Sequence, residues 1–164
     1  MLDSDLSAWW RAYFTCAFYL GLRPGELTGL RWADVDFGKD VIRVRRSLKR
    51  GEDGLAPDDL KTQSSKRTLP MPAAVRTALT ALRKEQAADK LRLGEHYQDR
   101  HDLVFRDDAG RPWSRQRMNV HFKRVCEAAG TGRDWQPRES RHTFVSIASS
   151  NGVAIEDIAD AAGH

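Results

Sequence analysis

The sequence predicts a mainly α-helical domain with a small antiparallel β-ribbon, an α+β fold. Two observations carry this: apolar residues recur at helical spacing in most of the longer segments, and clean alternation of apolar and polar residues is confined to one short stretch. Leu6, Trp10, Tyr13, Ala17 and Leu20, with Phe14 and Phe18 beside them, predict a helix over 5–20 with a broad buried face, stopped at Gly21. Pro24 suits the first turn of a second short helix, PGELTGLRW, where its missing N–H is not needed. Asp34 to Asp40 reads as a turn. Residues Val41 to Ser47 alternate Val and Ile with Arg, which predicts a strand with one wet, cationic face. GEDGLAPDD reads as an exposed loop, and a second strand returns through Lys66–Pro70 to complete the ribbon.

Downstream, Val75, Leu79, Leu82 and Gln86 line one side of a helix over 72–92. Met118, Phe122, Val125 and Ala129 do the same for 114–129, with the apolar run DLVF (102–105) and the turn DDAGRP between the two. Arg138 to Ser150 reads as another helix, stopped near Asn151-Gly152, and Ile155, Ile158 and Ala162 mark a last one.

A length of 164 residues with 40% hydrophobic content fits one domain with one core. The net charge is only +4, but the pI is about 9.3 and the cations are crowded, as in RVRRSLKR (43–50). Such crowding suggests a polyanionic partner, with Arg43, Arg45, Arg46 and Lys49 able to track a phosphate backbone or simply to form a solvated strand face. Cys16 and Cys126 form no CxxC pair, which argues against a disulfide framework and for a reducing, intracellular setting. No apolar run approaches the roughly 20 residues needed to span a bilayer. His96, His101 and His121 lack metal-ligand spacing, so no metal site is expected. Trp9, Trp10 and Trp32 are expected in the core.

Four segments, in order, resemble the tyrosine recombinase (phage integrase) family. YLGLRPGELTGLRWADVDF (19–37) resembles its first arginine box, with Arg23 at the first catalytic arginine and Glu26 one helical turn on, able to orient or partly neutralise it. LKTQSSKRTLPM (60–71) is similar to the family's ribbon, on which Lys61 matches the catalytic lysine; Lys66 and Arg67 nearby are candidates for backbone-phosphate contact. RESRHTFVS (138–146) resembles the second arginine box with Arg141 as its arginine, and IEDIADAAGH (155–164) puts His164 at the family's His/Trp position.

The resemblance implies a catalytic-domain fragment over 1–164, without the N-terminal core-binding domain and the C-terminal tyrosine segment. It implies site-specific cleavage and rejoining of double-stranded DNA through a 3′-phosphotyrosine bond, by a homotetramer on DNA when full-length, in the cytoplasm of a bacterium or from a phage, and without metal or cofactor. In that chemistry two arginine forks hold the non-bridging phosphate oxygens and a lysine protonates the departing 5′ oxygen. The sequence departs from the family where Arg138 replaces the usual His. Arginine still donates to a phosphate, which keeps Arg138 among the candidate catalytic residues, but it stays charged and cannot shuttle a proton there. Tyr13, Tyr19 and Tyr97 all precede the second box, so none matches the nucleophile, and the chain alone is expected not to cleave DNA. The alternative reading is a degenerate relative that binds DNA without chemistry.

Overall fold

In a computed structural model, residues 6–51, 54–60, 65–132 and 134–150 are described. The first helix, α1, spans Ala8–Leu20; Ser7 caps its start by accepting from the Trp10 N–H, and Gly21 closes its end in the left-handed conformation (φ 59°). The second, α2, is the five-residue Pro24–Thr28, with proline in the first turn as the sequence predicts. A 3-10 turn at Trp32–Asp34 leads into β1, Val35–Asp36.

The expected strand at 41–47 is in fact two. β2 (Val41–Val44) lies between β1 and β5 (Arg67–Pro70) in a three-stranded antiparallel sheet, while β3 (Arg46–Gly51) pairs with β4 (Gly54–Asp59) in a separate two-stranded ribbon. The break falls at exposed Arg45, the one residue between β2 and β3. Two further expectations are corrected. The turn at 34–40 contains β1, registered Val35 to Ile42 and Asp36 to Val41. GEDGLAPDD is not an irregular loop: its residues 54–59 form β4, aligned from Gly54 opposite Gly51 to Asp59 opposite Arg46. Its Asp58 and Asp59 serve as cross-strand partners for Lys49 and Arg46 of the basic run, which a reading of turn formers alone overlooks.

Helices α3 (Ala73–Leu93), α4 (Arg115–Ala128) and α5 (Glu139–Ser150) follow within a residue or two of the expected bounds. The last expected helix, around Ile155 to Ala162, lies outside the described residues. The core forms around α1. Trp10 and Phe14 meet Phe122 of α4, Trp9 and Tyr13 meet Phe105 of the DLVF run, and α1 packs along α3 and α5. Trp9, Trp10 and Trp32 are all buried, as expected. Cys16 and Cys126 are buried free thiols, and burial pushes the Cys16 thiol up to about 12.

Buried polar groups in this core are paired where they stitch elements together. Gln86 of α3 accepts from Trp32 Nε1 (2.9 Å) and donates to the Val104 carbonyl (2.8 Å). Asp107 organises the DDAGRP turn by accepting from the Ala109 and Arg111 N–H groups, and it pairs with Arg117 of α4 at 3.0 Å. Among the described residues, no helix is long and apolar enough to cross a membrane.

Candidate functional site

The α1–α2 junction and the start of β5 meet at one carboxylate, that of Glu26, and the first turns of α5 come up beside them through Arg141. Proline at the first helical position fixes the start of α2 and leaves Arg23 as its extended N-cap (φ −65°, ψ 147°). Glu26, three residues into the turn, reaches back to accept the Arg23 backbone N–H at 2.9 Å, one half of a capping box. Arginine has no acceptor atom, so its side chain cannot supply the other half; instead Arg23 Nη1 donates to Glu26 Oε1 at 2.9 Å.

From β5, Arg67 meets the same carboxylate with both ends of its fork: Nη2 donates to Oε2 at 2.9 Å and Nη1 to Oε1 at 3.2 Å. Each oxygen of Glu26 therefore accepts from both arginines, which is how a carboxylate only 2% exposed remains ionised. Burial alone would raise its pKa. The hydrogen bond and charge of Arg67, followed by those of Arg23, outweigh burial and hold it below the ordinary value.

Arg141 joins from α5. Its Nη1 makes a long hydrogen bond, 3.4 Å, to the carbonyl of Gly21, two residues before Arg23. Burial lowers the Arg141 pKa first, and the charges of Arg23 and Arg67 lower it further against the opposing pull of Glu26, so these four groups share one electrostatic environment. Two guanidiniums on one carboxylate, with a third beside the Gly21 carbonyl, leave a net charge of about +2, suited to a multiply charged anion such as a phosphate group. The strand β3 sits directly on α2: a Cβ built on Gly29 would lie 2.6 Å from the backbone nitrogen of Leu48, so glycine is required for that approach.

Against the sequence-derived set, Arg23, Glu26 and Arg141 are brought together, and Arg138 is exposed just before α5. Lys61 and His164 lie outside the described residues. Arg67, expected among the phosphate-contacting cations of the ribbon, is instead turned inward with a side chain only 8% exposed. Arg67 and Leu69 are two apart in β5 and share its inward face, a period-two signal that could have separated Arg67 from its neighbour Lys66.

The remaining ribbon cations stay at the surface but are interleaved with acids. Arg43 meets Asp36 at 2.7 Å, Arg46 meets Asp34 at 2.9 Å and Asp59 at 3.3 Å, Lys49 meets Asp58 at 2.5 Å and Lys66 meets Asp59 at 2.9 Å. The basic run is thus partly matched rather than a bare cationic face, with Arg45 and Arg50 exposed. Among the described residues there is no group of three or more His, Cys, Asp or Glu side chains able to hold a metal ion.

A family model, the phage integrase family, matches residues 1–164. The chain belongs to the phage integrase family. Its relatives include an integrase from Streptomyces ambofaciens, 35% identical over 93% of this chain and 40% of that protein. A XerC-like tyrosine recombinase from Caldanaerobacter subterraneus is 30% identical over 94% of this chain and 42% of that protein. This integrase-family chain therefore spans about two-fifths of the length of these relatives. Among solved structures, the Tn1549 transposon integrase bound to transposon right end DNA superposes with a TM-score of 0.81 at 23% identity, covering 99% of this chain and 53% of that one. The lambda integrase catalytic core does so at 0.65 and 15% identity, over 99% of this chain and 83% of that one. The fold is that of a tyrosine recombinase catalytic core, as the sequence resemblance implies.

Proposed function

We propose that this chain is the phosphate-binding part of a site-specific DNA recombinase, which cleaves and rejoins double-stranded DNA through a 3′-phosphotyrosine intermediate. The observation that carries the reading is the meeting of Arg23 and Arg141, from two distant parts of the chain, in one cationic environment built over the buried Glu26. Membership of the phage integrase family supports it.

In the proposed reaction Arg23 and Arg141 donate to the non-bridging oxygens of the scissile phosphate and stabilise the charge that grows as phosphorus becomes pentacovalent. The tyrosine hydroxyl of the full-length protein attacks phosphorus, and the bond to the 5′ oxygen breaks. Lys61 gives that oxygen its proton, and His164 helps position the phosphate. Attack by a second strand's 5′ hydroxyl then reverses the step and releases tyrosine. Exposed Arg138 is assigned a contact to the phosphate without proton transfer, and Arg43, Arg45, Arg46, Lys49 and Lys66 are assigned contacts along the duplex. Glu26 acts by orienting Arg23. The full-length protein is assigned a homotetrameric state on DNA and a place in the bacterial cytoplasm; the relatives named above come from bacteria.

The test is to incubate the full-length protein with a nicked suicide duplex and resolve the products on a denaturing gel. A covalent protein–DNA band supports the reading. DNA binding that weakens with salt but gives no band contradicts strand cleavage and favours a non-catalytic DNA-binding relative.

A further inference from the structure

Glu26 poses a problem for a site that must hold a phosphate. A buried carboxylate paired one-to-one with Arg23 would orient the guanidinium but also cancel its charge, leaving a neutral pair where an anion is to bind. The remedy in this structure is the second arginine on the same carboxylate. Arg67 makes a two-pronged contact, Nη2 to Oε2 at 2.9 Å and Nη1 to Oε1 at 3.2 Å, and the Arg23 side chain meets Oε1 through Nη1 at 2.9 Å. The two also differ in where they face: the Arg67 side chain is 8% exposed and that of Arg23 is 41% exposed. Arg67 is further tied to its own strand entry by donating to the Ser65 carbonyl at 3.2 Å.

We infer that Arg67 is a positioning residue for the two-arginine phosphate site: by taking up the charge of Glu26, it lets that carboxylate orient Arg23 without neutralising it. The inference rests on reading Arg23 as a phosphate-binding arginine, and it gives Arg67 a role distinct from the surface cations of the ribbon. A lysine could supply the charge but not the planar fork that engages both carboxylate oxygens.

The experiment measures single-turnover cleavage of a prebound suicide duplex by the full-length protein, alongside its DNA affinity and thermal melting. Arg67→Met is expected to keep DNA affinity within about twofold, because the Arg67 side chain is only 8% exposed, while cleavage slows about 10- to 100-fold as Arg23 is drawn onto an unshared carboxylate. Adding Glu26→Gln to Arg67→Met is expected to restore much of the rate, since the neutral amide no longer cancels Arg23. A general loss of structure would not be repaired by removing a carboxylate in this way if the melting temperatures of the two variants are equal. A folded Arg67→Met protein that cleaves at the wild-type rate overturns the inference. Should Arg67→Met melt below the assay temperature, the double variant, which buries no unpaired charge, decides the matter. A double variant as slow as Arg23→Ala overturns the inference, and a rate well above Arg23→Ala supports it. Wild-type cleavage by Arg23→Ala itself would instead overturn the underlying reading of the site.

Discussion

Gly21 at the end of α1 lies directly beneath the ring of Phe144 in α5. A Cβ built on Gly21 would sit 2.4 Å from Cδ1 of that ring, and the backbone there is left-handed (φ 59°). The contact joins the two arginine boxes: Gly21 is two residues before Arg23, Phe144 is one helical turn after Arg141, and the Gly21 carbonyl accepts from Arg141 Nη1. A glycine serves here both as helix stop and as the seat for the helix that carries the second arginine.

Gly21→Ala is therefore expected to destabilise the protein by about 1–2 kcal/mol from the backbone conformation alone, with more added by displacing Phe144. Thermal melting reads the loss. Cleavage by the remaining folded protein should also fall, because α5 and Arg141 shift relative to Arg23. An unchanged melting temperature would contradict the packing described.

The protonation of Glu26 gives the fold an acid-sensitive element. Its pKa in the folded chain lies below the ordinary value because Arg67 and Arg23 outweigh its burial. A depressed carboxylate contributes stability that is fully present above its ordinary value, about 4.3, and is lost as the pH falls through the folded value. Asp36, Asp58 and Asp59 are also lowered by their cation partners and add to the same acid response. The melting temperature is expected to fall as the pH drops from about 5 to about 3, and more gently in Glu26→Gln than in the parent. Identical slopes in the two proteins would show that Glu26 is not held ionised by its arginines.

Gln86 is expected to matter for stability and not for chemistry. Replacing it by leucine leaves the Trp32 indole N–H and the Val104 carbonyl buried without the partner each has now. The cost is about 1–3 kcal/mol for each group, offset in part by the added apolar burial. Chemical denaturation should show the loss, while the cleavage rate below the transition stays at the parent value.

The longer helices were legible because each buries an apolar stripe at helical spacing, and the stop at Gly21 and the start at Pro24 follow from backbone geometry alone. The three residues of the first and second boxes, Arg23, Glu26 and Arg141, were legible through the resemblance of their surroundings. The β3–β4 ribbon was not, because glycines, a proline and paired aspartates in 51–59 carry the same local signals as a loop. What makes them a strand is partnership at a distance, Lys49 with Asp58 and Arg46 with Asp59. The inward turn of Arg67 was hidden for a related reason. A charged residue in a basic stretch reads as solvated until the buried Glu26, 41 positions earlier, supplies its partner.

The central claim, that Arg23 and Arg141 together hold the scissile phosphate, is tested most directly by the rate of covalent adduct formation on a suicide duplex by the full-length protein and its Arg23→Ala and Arg141→Ala variants. Each substitution is expected to slow the adduct by about 100- to 1,000-fold with the protein still folded and bound to DNA. Adduct formation at the parent rate by either variant would contradict the account.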